Sequence, residues 1–171
     1  IAQRLYQGID IEGDTIGLIT YMRTDGTNIS KDAIETFRSY ISDNFGNNYL
    51  PQSSLNYSGK KAKNAQEAHE AIRPTEISRN PESLKKYLSS DQYKLYNLIW
   101  SRALSSQMEP AKFDRKTITI TSKDTENIFK ASGSVLKFDG YLKLTNVEVE
   151  NENEIILPDV EKGNVKIDEF I

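Results

Sequence analysis

No cysteine occurs among the 171 residues, so a disulfide framework, a thiolate metal site and a thiol nucleophile are all excluded. That absence fits a reducing cytosol, and a cytoplasmic location is the expectation. No apolar run approaches the ~20 residues that a helix needs to cross a bilayer, which rules out a helical membrane span. The opening Ile1-Ala2 lacks a basic stretch followed by an apolar one, so no secretory signal is visible and the chain is expected to start inside something larger. An excess of positive charge is also missing: 22 Lys and Arg face 25 Asp and Glu, for a net charge of -3. A domain that coats nucleic acid by bulk electrostatics is usually basic. Any DNA must therefore be held by a few well-placed groups. Those groups belong in residues 1–110, where 13 basic residues balance 13 acidic ones, and not in 111–171, where 9 face 12.

The patterning that is present predicts an α+β chain, mainly helical over 1–110 and β-rich over 111–171. Ile1, Leu5 and Gly8 are spaced as the last turns of a helix that stops at glycine. After a polar turn at Glu12-Gly13-Asp14, the β-branched run Ile16 to Tyr21 predicts a buried strand with Tyr21 near its exit. Ser30 is a suitable N-cap for a helix from Lys31 to Phe45, with Ala33, Ile34, Phe37, Ile41 and Phe45 on one face and Gly46 closing it. Residues 47–80 are rich in Asn, Ser, Lys and Pro and predict a long loop with a short helix at Ala65 to Ile72. A helical stretch from Pro81 to Gln107, broken near Ser89-Ser90, carries Leu95, Ile99, Ala103 and Ser106 on one face and ends before Pro110. Beyond Ala111 the pattern becomes a meander of strands: Thr117–Thr121, Ile128–Ala131, Val135–Phe138, Tyr141–Val147 and Val165–Ile171. There is no internal repeat, and the one biased tract is the acidic stretch Glu148 to Glu154.

The stretch with chemical promise is Thr20-Tyr21-Met22-Arg23-Thr24-Asp25-Gly26. In an extended chain, side chains two apart share a face, so Tyr21 and Arg23 are expected to project together. A free tyrosine phenol has a pKa near 10, so only about one in a thousand is ionised at neutral pH. A neighbouring guanidinium favours the phenolate and can fork onto two phosphate oxygens as negative charge builds on them. By spacing alone, Tyr-x-Arg is more often a surface pair with no chemical task. Asp25-Gly26 is a common turn dipeptide.

The longer string from Gly17 to Asp25, continuing through Thr27-Asn28-Ile29-Ser30, resembles the active-site signature of the bacterial DNA topoisomerase I family, the type IA enzymes. About forty residues on, Gln66-Glu67-Ala68-His69-Glu70-Ala71-Ile72-Arg73-Pro74-Thr75 resembles the block that lines the family's DNA site. Ile1 to Gly8, Leu98-Ile99-Trp100, Met108-Glu109-Pro110-Ala111 and Phe138-Asp139-Gly140-Tyr141 are similar to the family too, so the resemblance spans nearly the whole chain. It implies that Tyr21 attacks a phosphodiester of one DNA strand, leaving a 5′-phosphotyrosine and a free 3′-hydroxyl, before strand passage and resealing relax negative supercoils. Arg23 then matches the arginine on the scissile phosphate. The DNA-binding set comprises His69 beside the phosphate or the adjacent nucleotide, Arg73 in either a phosphate contact or an internal salt bridge, and Asp25 either holding Arg23 or capping the turn. The implied partner is single-stranded or negatively supercoiled DNA. No metal ligand is assigned in this chain, because the family's Mg²⁺ is bound by a preceding acidic domain, without which the segment is expected to be inactive. Residues 111–171 correspond to part of the family's arch domain, whose open strand edges leave an artificial dimer of the piece possible.

Met22 separates this sequence from topoisomerase III relatives, which more often carry proline there. Gly26 stands where many family members have serine, and only a modified turn is expected from it. Lys60-Lys61-Ala62-Lys63 reads either as a phosphate contact or as a solvated run, and the acidic stretch as exposed polar sequence. A rival of another class is a single-strand DNA-binding or interaction module that keeps the fold without the chemistry. The intact pair Tyr21 and Arg23 argues against it.

Overall fold

The computed structural model describes residues 1–57, 69–122, 126–145 and 156–163. It is a mixed α+β chain that divides into two compact units, Ile1–Pro110 with Asp139–Asn146 and Ala111–Phe138 with Val147–Ile171.

The first unit opens with α1 (Ala2–Gln7), capped at Gly8, and a short antiparallel hairpin of β1 (Ile9–Ile11) and β2 (Asp14–Ile16). The hairpin's two-residue loop, Glu12-Gly13, has both residues at positive φ, the geometry that lets a tight turn follow the twist of its strands. The sequence reading missed β1. It also overextended the strand after Glu12-Gly13-Asp14: ladder pairing ends at Ile16, and the chain continues as an extended segment whose one bridge joins Ile19 to Pro74. Leu18 and Ile19 are both buried, which explains the unbroken apolar run without a sheet.

Helix α2 (Lys31–Phe45) starts at Ser30, whose hydroxyl accepts the Ala33 N–H at 3.3 Å, and closes at Gly46. Its buried face is Ala33, Phe37 and Ile41, with Ile34 and Phe45 half-buried at its margin. Helix α3 (Pro81–Leu84) has Asn80 as N-cap and proline in its first turn, where the missing N–H costs no helical bond. Helix α4 (Ser90–Ser105) begins with a capping box in which Ser89 and Gln92 each satisfy the other's backbone N–H. Tyr96, Trp100, Ala103 and Leu104 form its buried face, while Leu95 and Ile99 flank it half-exposed. The expected face was therefore rotated by about one residue. Large aromatics with a polar tip decide the orientation, because Tyr96 Oη donates to the Arg79 carbonyl at 2.7 Å and Trp100 Nε1 donates to that of Ile77 at 2.9 Å. These two bonds let the aromatic bodies be buried without stranding a donor. They also tie the otherwise irregular chain before α3 to the core of Leu5, Leu18, Ile19, Phe37, Ile41, Leu104 and Met108.

The predicted helix at 65–72 is not supported where the chain is described: His69 to Ile72 are non-helical. Residues 65–68 and the basic run Lys60 to Lys63 lie outside the described residues. The chain was expected to stay in one β-rich domain from 111 onward, but Asp139–Asn146 belongs to the first unit. The return is anchored by Tyr141 N–H on the Glu109 carbonyl at 2.9 Å and by Tyr49 Oη on Asp139 at 2.7 Å. Gly140–Lys143 is a 3-10 turn, not the strand predicted from Tyr141.

The second unit is described as one long antiparallel hairpin, β3 (Lys112–Thr121) with β4 (Ile128–Phe138). The two strands expected at 128–131 and 135–138 are one, because Ser132 and Gly133 pair in register with Thr117 and Lys116. The Thr117 and Ser132 hydroxyls meet across it at 3.1 Å. The predicted strand at 165–171, the end of the one begun at Tyr141 and the acidic stretch 148–154 lie outside the described residues.

Candidate active site

Tyr21 ends the extended segment, and its position is set by Thr20. The Thr20 backbone N–H donates to the Arg73 carbonyl at 2.9 Å, while its hydroxyl donates to the Ala71 carbonyl at 2.8 Å and accepts the Arg73 N–H at 2.9 Å. Further along the same seam, Thr75 N–H donates to the Leu18 carbonyl, Thr75 Oγ1 to that of Gly17, and Ala71 N–H to that of Asn28. Two stretches far apart in sequence are thereby sewn side by side, and every one of these bonds closes a long loop whose entropy is lost on folding.

The consequence is a contiguous group of side chains. The Tyr21 ring is 44% exposed. It rests edge-on against Tyr6 at 5.3 Å between centroids, and against the His69 ring at 5.6 Å and 40°. His69 Nδ1 is 3.6 Å from Asp25 Oδ2, and the same carboxylate oxygen is 3.0 Å from an Arg23 guanidinium nitrogen. Tyr21, His69, Asp25 and Arg23 thus form one chain of contacts, in which the Asp25 carboxylate meets Arg23 and His69. Tyr6 was not singled out from the sequence, although its place in the Ile1–Gly8 block beside the tyrosine loop was a usable signal.

Arg73 is placed differently. Its Nε and a terminal nitrogen form a fork on Glu70 at 2.8 and 3.0 Å, and its other terminal nitrogen donates to the Pro74 carbonyl at 2.9 Å. The side chain is only 16% exposed. Of its two anticipated roles, this geometry is the internal salt bridge. Glu70 also accepts the Ser30 N–H at 2.9 Å, joining the loop to the start of α2. Burial pushes the Glu70 carboxyl up, but the bonds from Arg73 and Ser30 outweigh it and hold it below the usual glutamate range.

Magnitude separates the two arginines. The Arg23–Asp25 pair has both side chains more than half exposed, and such pairs contribute about 0–1 kcal/mol. Arg23 can therefore be shared with an incoming anion at little cost. Arg73 would have to abandon a forked, partly buried partner, and such charge-assisted bonds contribute about 1.5–3 kcal/mol.

Gly26 does more than modify a turn. A Cβ built there would lie 2.1 Å from the His69 carbonyl oxygen, so the loop carrying His69 closes directly onto the glycine backbone. Among the described residues no group of three or more His, Asp or Glu converges as a metal ion would need. No helix among them is long and apolar enough to cross a membrane.

A family model described as DNA topoisomerase matches residues 1–170 of the chain. The chain is 49% identical over its full length to the DNA topoisomerase 1 of Rickettsia felis, of which it covers 22%. It is 44% identical, over 96% of its length, to that of Helicobacter pylori, again covering 22%. Its fold is similar to full-length topoisomerase I from Thermotoga maritima, with a TM-score of 0.75 at 39% identity, covering 94% of this chain and 24% of that one. The chain thus spans about a fifth of the length of the curated relatives it matches.

Proposed function

The chain belongs to the bacterial DNA topoisomerase I family, the type IA enzymes, and on that premise we propose that it is the segment carrying the nucleophile, Tyr21, of an enzyme that cleaves and reseals one DNA strand. The observation that carries the proposal is the exposed Tyr21 phenol beside His69, with the loosely paired Arg23 two residues on.

In this reading Tyr21 Oη gives up its proton to solvent and attacks the phosphorus of a backbone phosphodiester. The bond from phosphorus to the 3′ oxygen breaks, that oxygen leaves as a 3′-hydroxyl after taking a proton, and a 5′-phosphotyrosine remains. One phosphodiester replaces another, so the covalent link keeps the energy needed for resealing, when the 3′-hydroxyl attacks and releases Tyr21. Negative charge grows on the non-bridging oxygens in the transition state, and Arg23 turns its fork from Asp25 toward them. His69, its Nδ1 3.6 Å from the Asp25 carboxylate, faces the same phosphate or the neighbouring nucleotide. Asp25 acts as a positioning carboxylate, since a direct approach to phosphate would set like charges together. Mg²⁺ and the group that protonates the leaving oxygen are supplied by polypeptide beyond this chain. The partner is single-stranded or negatively supercoiled DNA in the cytoplasm, and residues 111–138 contribute to the arch through which a strand passes.

The test is to incubate the full-length protein with an oligonucleotide labelled at either end and to map the adduct. The expected result is DNA attached through its 5′ phosphate to the peptide containing Tyr21. Attachment to another residue overturns the proposal.

A further inference from the structure

Beyond the Tyr21 group, the first unit carries two clefts with a shared wall. The larger, about 580 Å³, is lined by Tyr57, Arg102, Ser105 and Tyr141 among others. The smaller, about 260 Å³, includes Thr27, Asn28 and Lys31. Leu55 and Tyr57 line both. Thr27 follows Asp25-Gly26 directly in the chain, so the smaller cleft begins where the active-site loop ends.

Three features of these clefts go together. The first is charge. In a chain with more acids than bases, neither cleft has an Asp or Glu among the described residues that line it, while each has a cation, Lys31 or Arg102. Neither cation is in an ion pair among the described residues. The second is aromatic surface: Tyr57 and Tyr141 are 55% and 38% exposed, although burial of aromatic side chains is ordinarily favourable. The third is rigidity. Gln107, 1% exposed, grips the backbone of Leu55 with both ends of its amide, accepting the N–H at 3.1 Å and donating to the carbonyl at 2.9 Å. Tyr57 Oη donates to the Ser106 carbonyl at 3.0 Å, and the Tyr57 carbonyl accepts from Thr27 at 3.4 Å. Exposed Tyr57 is thus held by its hydroxyl, two residues after a backbone position fixed by a buried amide.

We propose that these clefts form a second single-strand subsite, in which the Tyr57 and Tyr141 rings stack on nucleobases and Lys31 and Arg102 take backbone phosphates of the strand running on from Tyr21. The inference rests on the reading of Tyr21 as nucleophile and extends it to a place where the flanking nucleotides lie. The larger cleft, at about 580 Å³, lies within the roughly 300–1,000 Å³ that accepts drug-sized ligands, the scale of one or two nucleotides. Fixed aromatic faces with unpaired cations are the means by which a single strand is held without base-edge readout.

The experiment places 5-iododeoxyuridine at successive positions on both sides of the cleavage point in a single-stranded oligonucleotide, binds it to the full-length protein, irradiates it and maps the crosslinked peptides. The expected result is crosslinking to Tyr57 or Tyr141 from positions a few nucleotides to one side of the cleavage point. Tyr57→Ala should weaken oligonucleotide binding about tenfold or more, and Tyr57→Phe, which keeps the ring but gives up the bond to Ser106, should weaken it clearly less than the alanine change. Crosslinking of the unmodified protein decides the matter even if the alanine variant does not fold. A Tyr21 adduct that forms normally with no crosslink to either tyrosine overturns the subsite and leaves the active-site reading standing. Loss of the Tyr21 adduct in the unmodified protein strikes the active-site reading instead.

Discussion

The His69 imidazole lies 5.6 Å from the Tyr21 ring, centroid to centroid. The two residues come from separate loops that are bound together by the Thr20 hydroxyl and the backbone of residues 71 to 73. In the proposed reading a phosphate at the Tyr21 phenol lies beside this imidazole, and Asp25 links His69 to Arg23 at 3.6 and 3.0 Å.

Replacing Tyr21 by phenylalanine removes the attacking oxygen and keeps the ring contacts with Tyr6 and His69. Covalent capture of DNA should vanish while noncovalent binding, read by anisotropy, changes less than about threefold. An adduct surviving in the phenylalanine protein refutes the assignment.

Arg23→Ala should slow single-turnover cleavage by about 10²–10³, the usual cost of deleting a transition-state charge donor. Melting temperature should be almost unchanged, since the exposed pair with Asp25 adds little stability. A variant that cleaves at the parental rate removes Arg23 from the chemistry.

Glu70→Gln acts in the opposite way, on stability. The carboxyl is held below its ordinary range by Arg73 and Ser30, so the ionised form stabilises the fold at neutral pH. That stabilisation is complete above the unfolded-state pKa and is lost as pH falls through the lower folded-state value. Denaturant unfolding should show the variant less stable by about 1–3 kcal/mol at pH 7, with the gap narrowing in acid. A gap that widens toward low pH contradicts this account.

Gly26→Ala forces the His69 carbonyl away from a Cβ that would lie 2.1 Å from it. Cleavage should fall at least tenfold, with a smaller effect on the isolated helices, and the His69 ring signal should shift in an NMR spectrum. An unmoved His69 resonance with full activity means that the loop opens freely.

In the core, Tyr96→Phe deletes the hydroxyl that satisfies the Arg79 carbonyl. Burial pushes the Tyr96 phenol far up, so it remains a donor at every physiological pH. A loss of about 1–2 kcal/mol in unfolding free energy is expected, independent of pH between 5 and 9, and calorimetry across that range checks it.

Much of this molecule was legible locally. Helix α2 could be bounded from Ser30, Gly46 and the spacing of Ala33, Phe37 and Ile41, because capping and amphipathic period depend on residues within one or two turns. The break before α4 and the change to strands beyond Ala111 are local in the same sense. The tyrosine motif was visible as a string, and the histidine block as another. What no local pattern contained was their meeting. That depends on Thr20 reaching the backbone of residues 71 to 73, on Gly26 admitting the His69 carbonyl, and on Glu70 taking both Arg73 and the N–H of Ser30. The rotation of α4's buried face likewise depends on where Tyr96 and Trp100 find carbonyl partners. The pairing of Ile19 with Pro74 is just as distant, so a run of apolar residues read as a strand is an extended segment held by a loop. Periodicity and caps are written in neighbouring residues and survive being read one window at a time. The active group is assembled from hydrogen bonds between distant positions, whose partners are defined only once the chain has folded.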